Sequence, residues 1–184
     1  MPEPVQPTEI TTERLTLRPF RESDAQDVFE YASDPAFRRY APYIPADYSP
    51  ADAIEYVQQR IKADWNTGPT FAVDYQDKVI GAITIRIDED GDVEVGYGIS
   101  ADYQGQGLAT EATSAALEWA ISIFGADSIF ATADALNHAS IRVLEKLGLK
   151  PDEDQTEPPL EGRTDEVKYR SRAKTWKNVN KRDG

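Results

Sequence analysis

The chain has no cysteine and a single histidine. Without cysteine there is no disulfide, no thiolate metal site and no cysteine nucleophile. One histidine, His138, cannot assemble a zinc site in a chain that offers no thiolate beside it. No apolar run reaches the roughly 18 residues that a membrane-spanning helix requires. The opening MPEPVQPTEI has no basic start followed by an apolar stretch, so no secretory signal is expected. A cytoplasmic location is the default expectation. Positive charge is also scarce, with 20 Lys and Arg against 33 Asp and Glu and a net charge of −13. Such a surface cannot neutralise a phosphate backbone or an anionic lipid face, which argues against nucleic-acid and membrane partners. The same field either draws in cationic amines or serves solubility, in a salty cytoplasm for example.

What is present is enough for one domain: 184 residues, 40% of them hydrophobic. The most informative stretch runs from Asp92 to Gly125. Val93, Val95, Tyr97 and Ile99 alternate with polar or small residues, which predicts a strand. Leu108, Ala112, Ala115, Ala116, Trp119, Ala120 and Ile123 recur at helical spacing before Gly125, which predicts an amphipathic helix with a glycine stop. Gly105 and Gly107 lie between them. A strand passing through a glycine loop into a helix aims several N–H groups at one point, and the helix dipole adds positive potential there. The expected ligand is an anion, most naturally phosphate. A dinucleotide fold would need a third glycine where Thr110 stands, and no Walker lysine is present.

Gln104-Gly105-Gln106-Gly107-Leu108-Ala109 resembles the Gln/Arg-x-x-Gly-x-Gly/Ala pyrophosphate loop of the GNAT superfamily of N-acetyltransferases. Gln104, Gly107 and Ala109 fill its three diagnostic places. The opening ERLTLRPFRESDA is similar to the first strand and helix of the branch that contains the ribosomal-protein N-terminal acetyltransferases. Asn137 and Ser140 match the Asn-x-x-Ser coenzyme A signature that precedes a late helix, with Leu149 where Phe is commoner. The resemblance runs from about Thr12 to about Trp176. It implies a three-layer α/β fold, with a central, mostly antiparallel mixed sheet of about six or seven strands, one splayed strand pair, and helices on both faces. It implies a single domain over 12–176, with flexible tails at 1–11 and 177–184.

Along the chain, Arg14–Arg18 predicts the first strand and Arg21–Asp24 the cap of a helix carrying Val28, Phe29 and Ala32. Residues 36–50 hold Phe37, Tyr40, Tyr43, Ile44 and Tyr48 in no period. In the resembling family this segment walls the acceptor site, though such aromatics also simply close a core edge. A second helix begins at Ser49-Pro50, with Ala53, Ile54, Val57 and Ile61 inward. Thr70–Tyr75 and Val79–Ile85 predict a hairpin turning at Gln76-Asp77-Lys78. Asp88–Asp92 is a turn whose carboxylates lack the spacing of a calcium loop, so no metal is expected. Ser128–Ala133 predicts a strand, Asn137–Leu149 a helix with Ile141, Leu144 and Leu147 on one face, 151–165 a long acidic loop, and Glu166–Ala173 the last strand.

The resemblance assigns the chemistry as acetyl transfer from acetyl-CoA, the acetyl donor, to a primary amine, either a protein N-terminal amine or a small amine. The backbone of Gln104 to Thr110 would hold the pyrophosphate, because Gly105 and Gly107 allow close approach. Asn137 would meet the pantetheine arm. Glu94, facing opposite to Val93 and Val95, would be the general base through water. A backbone N–H between Tyr97 and Ile99 would stabilise the oxyanion. Many relatives place a tyrosine acid where Leu144 stands, which leaves Ser140 beside the leaving sulfur and His138 as a lesser alternative. Arg142 and Lys146 reach adenosine phosphates or stay solvated. The expected assembly is a monomer or homodimer. A rival reading is a non-catalytic acyl-CoA-binding regulatory module.

Overall fold

The computed structural model describes residues 4–152 and 166–180. Strands are β1 (Ile10–Thr11), β2 (Thr16–Arg18), β3 (Thr70–Tyr75), β4 (Lys78–Ile87), β5 (Val93–Ile99), β6 (Ser128–Asp134), β7 (Lys150–Pro151) and β8 (Glu166–Arg172). Helices are α1 (Ala25–Ser33), α2 (Pro35–Arg38), α3 (Pro50–Ile61), α4 (Leu108–Phe124), α5 (His138–Lys146) and α6 (Ala173–Asn180). The strands form one sheet in the order β1-β2-β3-β4-β5-β6-β8-β7. Every neighbouring pair is antiparallel except β5 and β6, which are parallel. The expected sheet is therefore present, widened at both edges by two-residue strands that a sequence period is too short to reveal.

Local chemistry explains the elements that carry the site. Gln76 and Asp77 both adopt positive φ, the geometry of a two-residue hairpin turn, and they join β3 to β4. Ser49 caps α3 by accepting from the Asp52 N–H, while Asp52 accepts from the Ser49 N–H. Gly107 at φ +81° starts α4, and Gly125 at φ +67° ends it. α1 and α3 cover one face of the sheet with Val28, Tyr31, Ala53 and Val57 against Ala72 and Val79. α4 and α5 cover the other with Ala112, Ala116, Leu117 and Leu144 against Val93, Val95 and Ile129, and Trp176 of α6 joins the same core. A buried ion cluster ties the first layer to the sheet. Arg18 of β2 is held by both oxygens of Asp24 at 2.9 Å and by Asp74 of β3 at 3.0 Å.

Several expectations are corrected. The first strand is β2 alone, and Ile10 and Thr11 of the expected tail pair with Leu17 and Thr16. The helix of α6 continues to Asn180, past the point where a tail was expected. Ile54, Ile61 and Ile123 are exposed by 49%, 43% and 47% instead of inward. In α3 the contact stripe is Ala53 and Val57, whose small side chains let the helix lie close to the sheet; Ile61 falls in its last turn. In α4 the inward positions near the end are Leu117, Ala120 and Ile121. The period-free segment after Asp34 contains α2, which Asp34 caps through the Ala36 N–H. The acidic loop expected over 151–165 lies outside the described residues from 153 onward.

Candidate active site

The site begins where β5 and β6 part. The two strands pair only at Val93↔Ile129 and Glu94↔Phe130. Beyond Glu94, β5 stays paired with β4 as far as Ile99, and β6 stays paired with β8 as far as Asp134. A notch therefore opens between them. Antiparallel ladders alternate residues that bond across with residues that face away. The Ser100 N–H donates to the Ile80 carbonyl and the Asp88 N–H to the Asp92 carbonyl, which fixes that alternation. It turns the backbone groups of Glu94, Gly96 and Gly98 toward β4 and those of Tyr97 and Ile99 toward the notch. These two are the backbone positions from which an oxyanion donor was expected.

The loop after β5 presents free donors. The Gln104 amide donates to the Ile99 carbonyl at 2.9 Å and so fixes the loop to the strand end. The N–H groups of Gly105, Gly107, Leu108, Ala109 and Thr110 have no acceptor among the described residues. Helix starts always leave orphan donors, but a side-chain cap usually takes one of them. Gly107 has no side chain to do so. Behind the loop, Arg14 donates to the Gln106 carbonyl at 2.9 Å and to Glu111 of α4 at 2.7 Å. Glu111 also accepts from the Thr12 hydroxyl and the Arg14 N–H. Burial alone would raise the Glu111 carboxyl, but these bonds outweigh it and hold its pKa below the ordinary value. The negative charge nearest the helix start is thus turned away from the free donors and neutralised.

Two cavities meet at the notch. The first, about 280 Å³, is lined by Gln104, Gly105, Gly107, Leu108, Ala109 and Thr110, with Ile99, Asn137 and Ser140. Arg142 and Lys146 also line it, from exposed positions on α5. The second, about 430 Å³, lies over Glu94, Gly96 and Gly98, under α1, α3 and the aromatic 36–48 segment. Phe37, Tyr40, Tyr97, Gly98, Asn137 and Ser140 belong to both linings. Gly96 has nothing within 4 Å of where a Cβ would stand, whereas a Cβ on Gly98 would meet the Phe37 ring at 2.9 Å. The tyrosine roof is anchored across the notch where the Tyr40 hydroxyl donates to the Leu136 carbonyl at 3.2 Å.

The expected site residues divide between these cavities. Glu94 is in the second, with Arg86 at 3.4 Å. Asn137 caps α5 by accepting from the Ser140 N–H at 3.1 Å. Gln106 does not line the first cavity, and its carbonyl is taken by Arg14. His138 is exposed and lines neither. Leu144 is fully buried in the core. The sequence reading missed three contributions. The Tyr97 phenol reaches across the notch to Ser140, 2.9 Å from its hydroxyl and 3.0 Å from its carbonyl. Burial pushes Tyr97 up to about 12, and the Ser140 hydrogen bond opposes this only in part. Asp134 adds a second carboxylate to the second cavity. Arg14 braces the loop from the turn between β1 and β2, nearly a hundred residues earlier. No local pattern marks any of these, because each depends on a partner distant in sequence.

The sheet splits after Glu94, with a donor-rich loop lining one cavity and Glu94 lining a second. The comparisons make the assignment specific. The family model described as an acetyltransferase (GNAT) domain matches residues 14–150, and the chain belongs to that family. It is 32% identical over 142 residues to the uncharacterized N-acetyltransferase YnaD of Bacillus subtilis, covering 77% of this chain and 82% of that one. Its fold matches the crystal structure of a GNAT-family acetyltransferase from Bacillus anthracis with a TM-score of 0.77 and 26% identity, over 90% of this chain and 98% of that one. It also matches the fold of the microcin C7 self-immunity acetyltransferase MccE, solved in complex with acetyl-CoA and AMP, with a TM-score of 0.75 and 16% identity, over 88% and 93% of the two chains. The chain is an acetyltransferase.

Proposed function

We propose that the protein moves an acetyl group from acetyl-CoA to a primary amine, by direct attack in the notch. The observation that carries this reading is the pair of cavities that share lining residues where β5 leaves β6. The free N–H groups at the start of α4 suit the diphosphate of the donor, and Gly107 lets it approach. Asn137, Arg142 and Lys146 extend that side along the arm and the outer phosphates.

In the reaction a bond forms between the amine nitrogen and the carbonyl carbon, and the carbon–sulfur bond breaks. Glu94 takes the proton that the nitrogen loses, through water, and later returns it to solvent. The Tyr97 or Ile99 N–H hydrogen-bonds the developing oxyanion. Ser140 hydrogen-bonds the sulfur as it leaves as a thiolate, which solvent then protonates. The ERLTLRPFRESDA opening, and Ser140 in a chain where Leu144 cannot donate, support kinship with the branch that contains the ribosomal-protein N-terminal acetyltransferases, a kinship of sequence that does not itself make the acceptor a peptide.

The test is thiol release from acetyl-CoA across peptides, amino acids and small amines, with Glu94→Gln beside the unsubstituted protein. The expected result is release with an amine, and a loss of about 100-fold in kcat for Glu94→Gln with the acetyl-CoA KM unchanged. Full turnover by Glu94→Gln would remove Glu94 as the base.

A further inference from the structure

The acceptor-side cavity carries hydroxyl groups that the fold does not use. Tyr31 of α1, Tyr48 of the loop and Tyr56 of α3 all line it. None of the three hydroxyls has a hydrogen-bond partner among the described residues. Tyr31 is only 7% exposed. Each hydroxyl therefore has its donor free for whatever occupies the cavity. Burial raises all three phenols, Tyr48 and Tyr56 to about 12, and the three also act on one another. They line one cavity and stay protonated, so they present donors there at neutral pH.

The charges around them select the kind of ligand. The Arg60 guanidinium lies over the Tyr56 ring at 5.0 Å, and Arg39 lies over Tyr40 at 5.3 Å. Arg60 and Arg86 both lower the Tyr56 phenol, whereas Asp52 raises Tyr48 and Asp24 raises Tyr31, so the positive potential lies at the Tyr56 end of the cluster. The Tyr56 and Tyr40 ring faces beneath these guanidiniums are closed to a ligand's ammonium group. The nearby carboxylates are engaged. Asp24 is bound by Arg18, Asp52 by Ser49, and Glu94 by Arg86. Asp134, at the notch end, accepts from the Leu136 N–H through one oxygen.

We propose that the acceptor is an amine that also carries a carboxylate, of the free amino-acid class, with the carboxylate received by the Tyr31, Tyr48 and Tyr56 hydroxyls. This rests on the acetyl-transfer reading above. A zwitterion of this kind is not repelled by the acidic surface. Its amine faces the notch beside Asp134 and Glu94, and its anion faces the donor cluster. A polyamine would place a second cation among unpaired donors and arginines.

The assay compares free amino acids, each beside its decarboxylated amine, with spermidine and a hexapeptide as further acceptors. The expected result is a kcat/KM at least about tenfold higher for an amino acid than for its decarboxylated amine. Tyr31→Phe and Tyr56→Phe, measured on the same pair, are each expected to shrink that preference about tenfold. The ratio is internal to each variant, so partial loss of folded protein does not alter it. Higher kcat/KM for the decarboxylated amine, for spermidine or for the hexapeptide overturns the assignment and leaves acetyl transfer intact. A preference that survives both substitutions overturns it as well. Thiol release with no acceptor, while calorimetry still shows acetyl-CoA binding, overturns the transfer reading and this assignment with it.

Discussion

Tyr97 joins two parts of the site that lie 43 residues apart. Its phenol could act as an acid or as a brace, and magnitudes decide between them. At about 12 it is a weaker acid than an ordinary thiol near 8.5. Handing its proton to the sulfur would cost roughly 5 kcal/mol. We therefore propose that Tyr97 holds the Ser140 hydroxyl in place and stays neutral. Groups that act as one unit give non-additive losses when removed. Tyr97→Phe and Ser140→Ala are each expected to lower kcat about tenfold, with the double variant no slower than Ser140→Ala alone. Steady-state rates at saturating acetyl-CoA check this, and additive losses would show that the two hydroxyls act separately.

Among the elements, β5 does the most with the least side-chain volume. Gly96 leaves open space that is part of the acceptor-side cavity. Glycine inside a strand is a weak strand former, so a β-branched residue there suits the fold. Gly96→Val is expected to keep or raise the melting temperature while raising the acceptor KM at least about tenfold. A melting temperature lowered by several degrees with an unchanged KM would show that the space is not used. The β5–loop–α4 unit was legible in the sequence because its signals are local: period two, two glycines, then period 3.6. The Asn137 cap was legible for the same reason. The second cavity was not. Its roof comes from residues 36–48, which have no period, and its donors come from Tyr31 and Tyr56 on helices whose apolar stripes conceal them. The inward placement of Ile54, Ile61 and Ile123 failed because periodicity names a stripe and cannot say where the neighbouring surface ends.

For the molecule as a whole, titration brackets the stable range. Glu111 is held below its ordinary value in the fold, as are the surface carboxylates Glu30 (by Lys78), Asp52 (by Ser49) and Asp64 (by Asn66). A depressed carboxylate stabilises the fold above its unfolded pKa, and that contribution is lost as pH falls through the folded one. Tyr31, Tyr48, Tyr56 and Tyr97 are raised, mainly by burial. Their contribution is complete below the unfolded value and lost as pH rises through the folded one. The melting temperature is expected to hold a plateau between about pH 5 and 10 and to fall on both sides. Melting curves from pH 3 to 12 check it, and a steady decline across the plateau would contradict it. The divided sheet has a kinetic consequence too. Its two cavities have mostly different linings and share residues at the notch, so under the proposed reaction neither substrate must leave before the other arrives. The proposed direct transfer needs both present together, so double-reciprocal plots are expected to intersect instead of running parallel. A single molecule that joins coenzyme to acceptor through a stable linkage is expected to fill both cavities at once and to bind as a bisubstrate inhibitor.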